Sequence, residues 1–351
     1  MVEKPSMKIL ICTPYCLETL CGNSIAAARL RDGFIRYGHD VRLIEDCSNI
    51  SRNEAREETA LFGPDVSLVM HGWRCSEAFF GITSLDKIPI VVSLRGTDIN
   101  EMINDAERAP VIADILRLAN RITVFNSSMG SILTQNKLSL PRKVRIIPNG
   151  LSLPPPDGDY RAKLGLPRKA PVVVGLAGIR PIKGITTLID HLSELKRHVP
   201  DLLYVHAGSI IDKQSGESFL DTCRMNPWII HVGAIPHDEV TSFLRAGTIF
   251  ASASIAEGMP HGVREAMLAG TPCLLSQNDG HRSMATDGVE AFFFHDGSSF
   301  VQNALRLLGS TDLCEKIAAR GRQRVLDDCR RGDEIGSYLR LFTEIIGRRA
   351  T

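Results

Sequence analysis

The sequence has almost no net charge: 41 lysines and arginines stand against 40 aspartates and glutamates, leaving +1. That balance excludes a basic stripe for nucleic acid and an acidic tail. No apolar run is long enough to span a bilayer, and no signal peptide is recognisable. Residues 1–6 read as a short disordered leader. The cysteines, nine in number, form no paired framework, and an odd set of free thiols sets a reducing cytoplasm as the expected compartment. Cys12, Cys16 and Cys21 fit no common metal-ligand spacing, Cys12 falls inside an expected strand, and no histidine or cysteine partner follows nearby. No metal site is therefore expected. The glycine fingerprint of a dinucleotide-binding turn is also missing, since only one glycine follows the first apolar run, and this argues against an NAD oxidoreductase.

What is present is a plain globular composition, 44% hydrophobic and 23% charged, on a chain of 351 residues, which suits two domains. Apolar runs of strand length alternate with helical patterns from Lys8–Thr13 onward, the order of a doubly wound α/β sheet. Further strands are expected at Val41–Ile44, Pro64–His71, Ile88–Leu94, Arg121–Phe125 and Val144–Ile147. Thr97 or Asp98 is expected to cap a helix running toward Asn120. Pro148-Asn149-Gly150, followed by Pro154-Pro155-Pro156, marks the domain boundary. Residues 7–150 then form one domain and 151–332 a second. The second opens on Val172–Ala177 and continues through Leu202–Gly208, Trp228–Gly233, Thr248–Ala253, Pro272–Ser276 and Ala291–Phe294.

The chemistry concentrates in Ser254–Met267. Glu257 and Glu265 flank a Gly/Pro-rich turn, Gly258-Met259-Pro260-His261-Gly262, between an apolar strand and a short helix from Val263 to Ala269. Ligands of open α/β sheets bind at such carboxyl ends of strands. The backbone N–H groups of Met259 to Val263 open onto a helix N-terminus, which attracts phosphate. Two carboxylates beside an anion site make sense if they accept sugar hydroxyl protons while the amides take phosphates. A second cluster follows Val172–Ala177: Gly178, then Arg180 and Lys183, two cations three residues apart at a strand-to-helix turn. His71 ends its strand and is followed by Gly72, a place where a side chain faces ligand. Asn278-Asp279-Gly280-His281 reads as a loop within reach of the same site. His206, His231 and His237 read as structural.

Glu257 and Glu265, seven residues apart, with Glu-Gly-Met-Pro before and Gly270-Thr271-Pro272 after, resemble the Glu-x7-Glu motif of family 4 retaining glycosyltransferases of the GT-B fold. The resemblance covers nearly the whole chain. It implies two Rossmann-like domains with a cleft between them and a final helix, 333–349, that crosses back onto the first domain. It implies a nucleoside-diphosphate sugar, most simply a UDP-sugar, as co-substrate, retention of anomeric configuration, and no required metal or other cofactor. Residue by residue, Arg180 and Lys183 would grip the diphosphate, Glu265 the ribose and Glu257 the sugar. Gly178, Gly258, Met259, Pro260, His261, Gly262 and Val263 would line the donor. Gly22 and Asn23 resemble the first glycine-containing loop that approaches the phosphates, and His71 would face the transferred sugar.

Arg74, Arg95, Thr97 and Asp98 fall on the acceptor side. Relatives often carry His where this chain has Arg95, a departure that fits an anionic acceptor. The N-terminal pieces most resemble a subgroup containing the vertebrate glycosyltransferase 1 domain-containing protein 1 and bacterial selenosugar synthases, which put a selenium nucleophile on an activated sugar. Paired carboxylates alone would also fit a glycoside hydrolase, but that leaves Arg180 and Lys183 without a role. A GT-B epimerase and a non-catalytic nucleotide-sugar-binding protein remain as alternatives. Neither nucleic acid nor an integral membrane segment is expected as a partner. The C-terminal arginines, Arg330, Arg331, Arg348 and Arg349, read as a solvated helix face.

Overall fold

The computed structural model describes residues 6–347 apart from 20, 86, 139, 140 and 152, and the side chains of residues 100, 330 and 331 are left aside. The expected leader, save Ser6, and Arg348 and Arg349 lie outside the described residues, as do the side chains of Arg330 and Arg331. The chain divides into two compact units, Met1–Gly150 with Gly332–Thr351, and Leu151–Arg331.

The first unit is built on β1 (Lys8–Cys12), β2 (Asp40–Ile44), β3 (Val66–Met70), β4 (Ile90–Ser93), β5 (Arg121–Val124) and β6 (Val144–Ile146). They form one sheet in the order β2-β1-β3-β4-β5-β6, with every pair parallel. A parallel sheet is covered on both faces, which is why its central strands read as unbroken apolar runs rather than alternations. Ile9 to Cys12 and Val66 to Met70 are all fully buried. Helix Gly22–Arg36 buries Ala26, Ala27, Leu30 and Phe34. The chain's last helix, Glu334–Gly347, belongs to this unit, and Tyr338 packs edge-on and Phe342 at a tilt against Phe34, with ring centroids 6.3 and 5.6 Å away. The closing helix implied by the family resemblance is thus present.

One expected element is not. No continuous helix runs from Thr97 to Asn120; the segment splits into Thr97–Asn100, a 3-10 turn at Met102–Asn104 and a helix at Arg108–Leu118. Pro110 explains the break, because mid-helix it would lack an N–H and clash with the preceding turn, whereas in a first turn it is tolerated. Asp105 supplies the start, its Oδ1 accepting the N–H of Glu107 and Arg108 at 3.0 Å each. Neither Thr97 nor Asp98 is a helix cap; Gly96 occupies that position without a side-chain bond.

The second unit repeats the plan with β7 (Val172–Leu176), β8 (Leu203–Ala207), β9 (Ile229–His231), β10 (Ile249–Ser252), β11 (Cys273–Ser276) and β12 (Phe292–Phe294). Their order is β12-β11-β10-β7-β8-β9, again all parallel. Helix Ile185–His198 buries Ile185, Leu188, Ile189, Leu192 and Leu195, the spacing read in the sequence. Among the described residues no helix is long and apolar enough to cross a membrane. Strand order reverses between β1 and β3 in the first unit and between β7 and β10 in the second, which sets a topological switch point in each.

Candidate functional site

In the second unit, the two charged loops named from sequence leave the two strands at the switch point. Arg180 and Lys183 follow β7, and Glu257 follows β10. The loops are tied together by their backbones, with Ile255 N–H donating to the Ile182 carbonyl at 2.9 Å. Two glycines permit the approach. Gly184 has φ +59, and a Cβ there would run into the Ala253 carbonyl; one on Gly262 would run into the Leu176 carbonyl.

Across this junction Lys183 Nζ lies 2.6 Å from Glu257 Oε1, with side chains only 16% and 11% exposed. Burial pushes the Glu257 carboxyl up. The Lys183 ammonium and its hydrogen bond, then Ser254 and His281, pull it down further, to a net position below the usual carboxylate range. Glu257 is therefore an anion at neutral pH, suited to accept hydroxyl protons and not to donate one. Arg180 Nε is buried and finds no hydrogen-bond partner among the described residues. A buried cationic donor left unfilled is costly and marks a place for an anion. The helix that follows begins at His261, two residues earlier than expected, with no acidic residue in its first turn and no side-chain cap. Its N-terminus carries partial positive charge. Gly258, Met259 and His261 are partly exposed, Pro260 and Val263 are buried, and Glu265 is buried one turn in. Met259 Sδ accepts from Arg264 Nη1 at 3.2 Å.

The Asn278–His281 segment supports the Glu257 loop. Asn278 caps helix Asp279–Met284, while its Nδ2 and the Ser276 hydroxyl both donate to the Ser254 carbonyl, at 2.8 and 2.7 Å. Gly280 packs directly on the Glu257 backbone. His281 is fully buried, its Nδ1 2.8 Å from the Ser276 carbonyl and 3.0 Å from Asn278 Nδ2. These four residues hold the Glu257 loop. Sequence reasoning missed that role because each contact spans 22 or more residues or ends on a backbone atom.

In the first unit, His71 follows β3 at the switch point, fully buried, with φ +96. Such backbone strain in a non-glycine residue gathers at functional sites. His71 Nδ1 accepts the Arg74 N–H at 3.2 Å, so Nε2 carries the proton and donates to Thr97 Oγ1 at 3.0 Å. Burial lowers the pKa of His71, outweighing Asp98, whose Oδ2 lies 3.8 Å from Nδ1; Arg74 and Arg95 lower it further. The ring is neutral. Asp98, expected on the acceptor side, is fully buried and committed elsewhere. Its carboxylate accepts the N–H of Gly72 at 3.0 Å, Arg95 at 2.9 Å and Gly96 at 3.0 Å, pinning the exits of β3 and β4 together. Arg95 reaches Asn23 Oδ1 at 3.3 Å and Asn149 Oδ1 at 3.2 Å and stacks over Phe125. Arg74 lies over Tyr15. Gly22 and Asn23 open helix Gly22–Arg36, whose first turn has neither an acidic residue nor a side-chain cap.

Among the described residues no group of three or more His, Cys, Asp or Glu is placed to hold a metal ion. Cys12, Cys16 and Cys21 form no such group: all three are free thiols, Cys12 is buried with its thiol beside that of Cys47, Cys16 is exposed, and Cys21 sits 3.3 Å from Ser24.

Two doubly wound parallel units, the second with paired charges at its switch point, define the class: the chain has the GT-B fold of glycosyltransferases. Residues 157–324 match the model of the family described as glycosyl transferases group 1. Glycosyltransferase 1 domain-containing protein 1 of Xenopus tropicalis is 22% identical over 326 residues, 91% of this chain and 92% of that protein. Sucrose-phosphate synthase from Thermosynechococcus elongatus superposes with a TM-score of 0.81 at 17% identity, over 97% of this chain and 100% of that one. HepE from Anabaena, solved in complex with UDP-glucose, gives 0.76 at 15% identity, also over 97% and 100%.

The buried histidines set an acid limit on stability. Burial lowers His71 and His281 and takes His206 down to about 4, against an ordinary 6.5. The unfolded chain therefore binds more protons below pH ~6.5, and stability falls as pH falls. For His206 the loss starts near pH 6.5, ends near 4 and amounts to about 3 kcal/mol. Urea denaturation of the full chain across that window is expected to show the decline, and His206→Gln to make it shallower. An identical slope in the variant would remove His206 from this account.

Proposed function

We propose that this protein is a retaining, cytoplasmic glycosyltransferase that moves a sugar from a UDP-linked donor to a small acceptor without a required metal. The observation that carries the reading is the Lys183–Glu257 pair at the β7/β10 switch point, beside the unfilled Nε of Arg180 and an uncapped helix N-terminus. Cleaving a sugar–diphosphate bond leaves extra negative charge on the departing nucleotide. Arg180, Lys183 and the amides of His261, Gly262 and Val263 meet that charge. At an effective dielectric near 20, one cation about 4 Å away contributes roughly 4 kcal/mol before desolvation, about a thousandfold in rate if felt only in the transition state. Two such cations do what a magnesium ion does in other transferases.

Glu257, held anionic, orients sugar hydroxyls; Glu265 takes the ribose. Gly178, Gly258, Pro260, His261, Gly262 and Val263 line the donor. In the first unit the family resemblance assigns His71 to the sugar and Gly22 and Asn23 to the phosphates. Arg74, Arg95 and Thr97 serve an acceptor that is anionic or carries a chalcogen nucleophile; Asp98 has no part in it. The UDP-glucose of HepE supports the choice of base.

The test is release of UDP from UDP-sugars, with and without candidate acceptors, in the presence of EDTA. Acceptor-dependent release that EDTA leaves unchanged is expected. Strict metal dependence would remove the two-cation account, epimerised sugar without release would make the protein an epimerase, and binding without turnover would make it a binding module.

A further inference from the structure

β7, β8 and β9 lie side by side, and a buried polar relay crosses from β8 to the exit of β7. Tyr204 and His206 share one face of β8, opposite Val173 and Gly175, and are 0% and 1% exposed. His206 Nε2 is 2.9 Å from the Ala177 carbonyl, and the Tyr204 hydroxyl is 2.8 Å from His206 Nδ1. A carbonyl oxygen only accepts, so Nε2 carries the proton, Nδ1 is an acceptor, and the tyrosine hydroxyl donates to it. The absent side chain of Gly175 makes the room, since a Cβ there would lie 2.8 Å from His206 Nδ1 and nearer still to the tyrosine oxygen.

Ala177 is the first residue beyond β7, three before Arg180. Its N–H also donates to the Ala207 carbonyl at 3.0 Å, so β8 grips this peptide on both sides. Ile179 N–H bonds the Ser209 carbonyl at 2.8 Å, continuing the grip toward the cations. One strand over the device recurs: His231 Nε2 lies 2.9 Å from the carbonyl of Gly208, the first residue beyond β8. Burying a hydroxyl and an imidazole among Val173, Leu202 and Phe219 is costly unless both are paired. Here the pairing ends on the one carbonyl that opens the cation loop.

We propose that Tyr204 and His206 are positioning residues for the donor diphosphate: by holding the Ala177 carbonyl they set the loop through Lys183 so that Arg180 and Lys183 meet the phosphates. The inference rests on the donor site proposed above. No proton is transferred along the relay; it works as a fixed brace.

Calorimetric titration of the full chain with UDP and with uridine, alongside amide hydrogen exchange of the unliganded protein, tests it. Tyr204→Phe and His206→Phe are expected to weaken UDP binding about tenfold, the size of one net hydrogen bond, while uridine binding is unchanged. Exchange should quicken across 177–184 and stay the same across 261–269. His206→Gln, whose amide N–H still reaches a carbonyl, should recover most of the UDP affinity. An unchanged UDP-to-uridine ratio and unchanged exchange at 177–184 in both phenylalanine variants would overturn the proposal. Should His206→Phe fail to fold, the isosteric Tyr204→Phe decides. A wild-type protein that binds UDP no better than uridine would overturn the donor-site reading and this proposal with it. An unchanged ratio and unchanged exchange in the variants of a wild type that does prefer UDP, by contrast, would sink the brace alone.

Discussion

Lys183→Ala lowers kcat about a thousandfold, the loss of one cation's worth of leaving-group stabilisation, and at the same time reverses the acid–base behaviour of Glu257. Lys183 and Glu257 are only 16% and 11% exposed, and the ammonium is the largest influence holding the carboxyl below its usual range. With Lys183 gone, burial remains and pushes the carboxyl up. In the wild type the pair adds stability above the carboxylate range, and that stability is lost as pH falls through the depressed pKa. In the variant the folded pKa lies above the unfolded one, so protonation favours the fold and stability rises as pH falls. At neutral pH the variant should be less stable by about 2–4 kcal/mol, the cost of stranding a buried charge, and the gap should close toward pH ~4. Lys183→Ala/Glu257→Gln separates the two effects, recovering stability without recovering turnover. Steady-state kinetics and urea denaturation at two pH values measure both. Full turnover in Lys183→Ala would end the leaving-group account.

Arg29→Ala carries the largest expected loss of stability, about 3–5 kcal/mol. Arg29 binds Glu334 with two bonds, Nε to Oε2 at 2.9 Å and Nη2 to Oε1 at 3.1 Å, and the glutamate side chain is only 5% exposed. Glu334 begins the closing helix, and its carboxylate also packs against Gly150. Removing the arginine strands a buried carboxylate at the start of the helix that carries Tyr338 and Phe342 onto the first sheet. Removing both charges with Arg29→Met/Glu334→Leu should cost far less, because a well-packed apolar pair avoids the desolvation that the ions bear. Equal destabilisation in the single and double variants, measured by urea denaturation, would show that the charges are not coupled.

These cases show where the information lay. The central strands of both sheets were legible because parallel sheets buried on both faces need unbroken apolar runs, and each such run bounded by turn residues is a local signal; edge strands such as Asp40–Ile44 and Val144–Ile146 carry the same signal more weakly, since charge interrupts them. Arg180, Lys183, Glu257 and the turn before His261 were legible for a similar reason, since charge at the carboxyl end of an apolar run stands out against its neighbours. The split of Thr97–Leu118 was half written in Pro110 and Asp105, and weighting those residues above the capping pair would have found it.

What the tertiary structure alone decided are pairings between groups far apart in the chain. Arg29 and Glu334 are 305 residues apart, and nothing near either residue specifies the other. Asp98 looked available and proved to be a backbone clamp. His206 read as structural, and only the fold shows that its ring runs from the Tyr204 hydroxyl to a single carbonyl, that of Ala177. A sequence displays which side chains can ionise or donate, but the distances that choose each partner are set by sheet order and by which strands leave the switch point together. Burial then fixes every charge and tautomer, because inside a low-dielectric core an unmatched polar group costs more than the fold can spare.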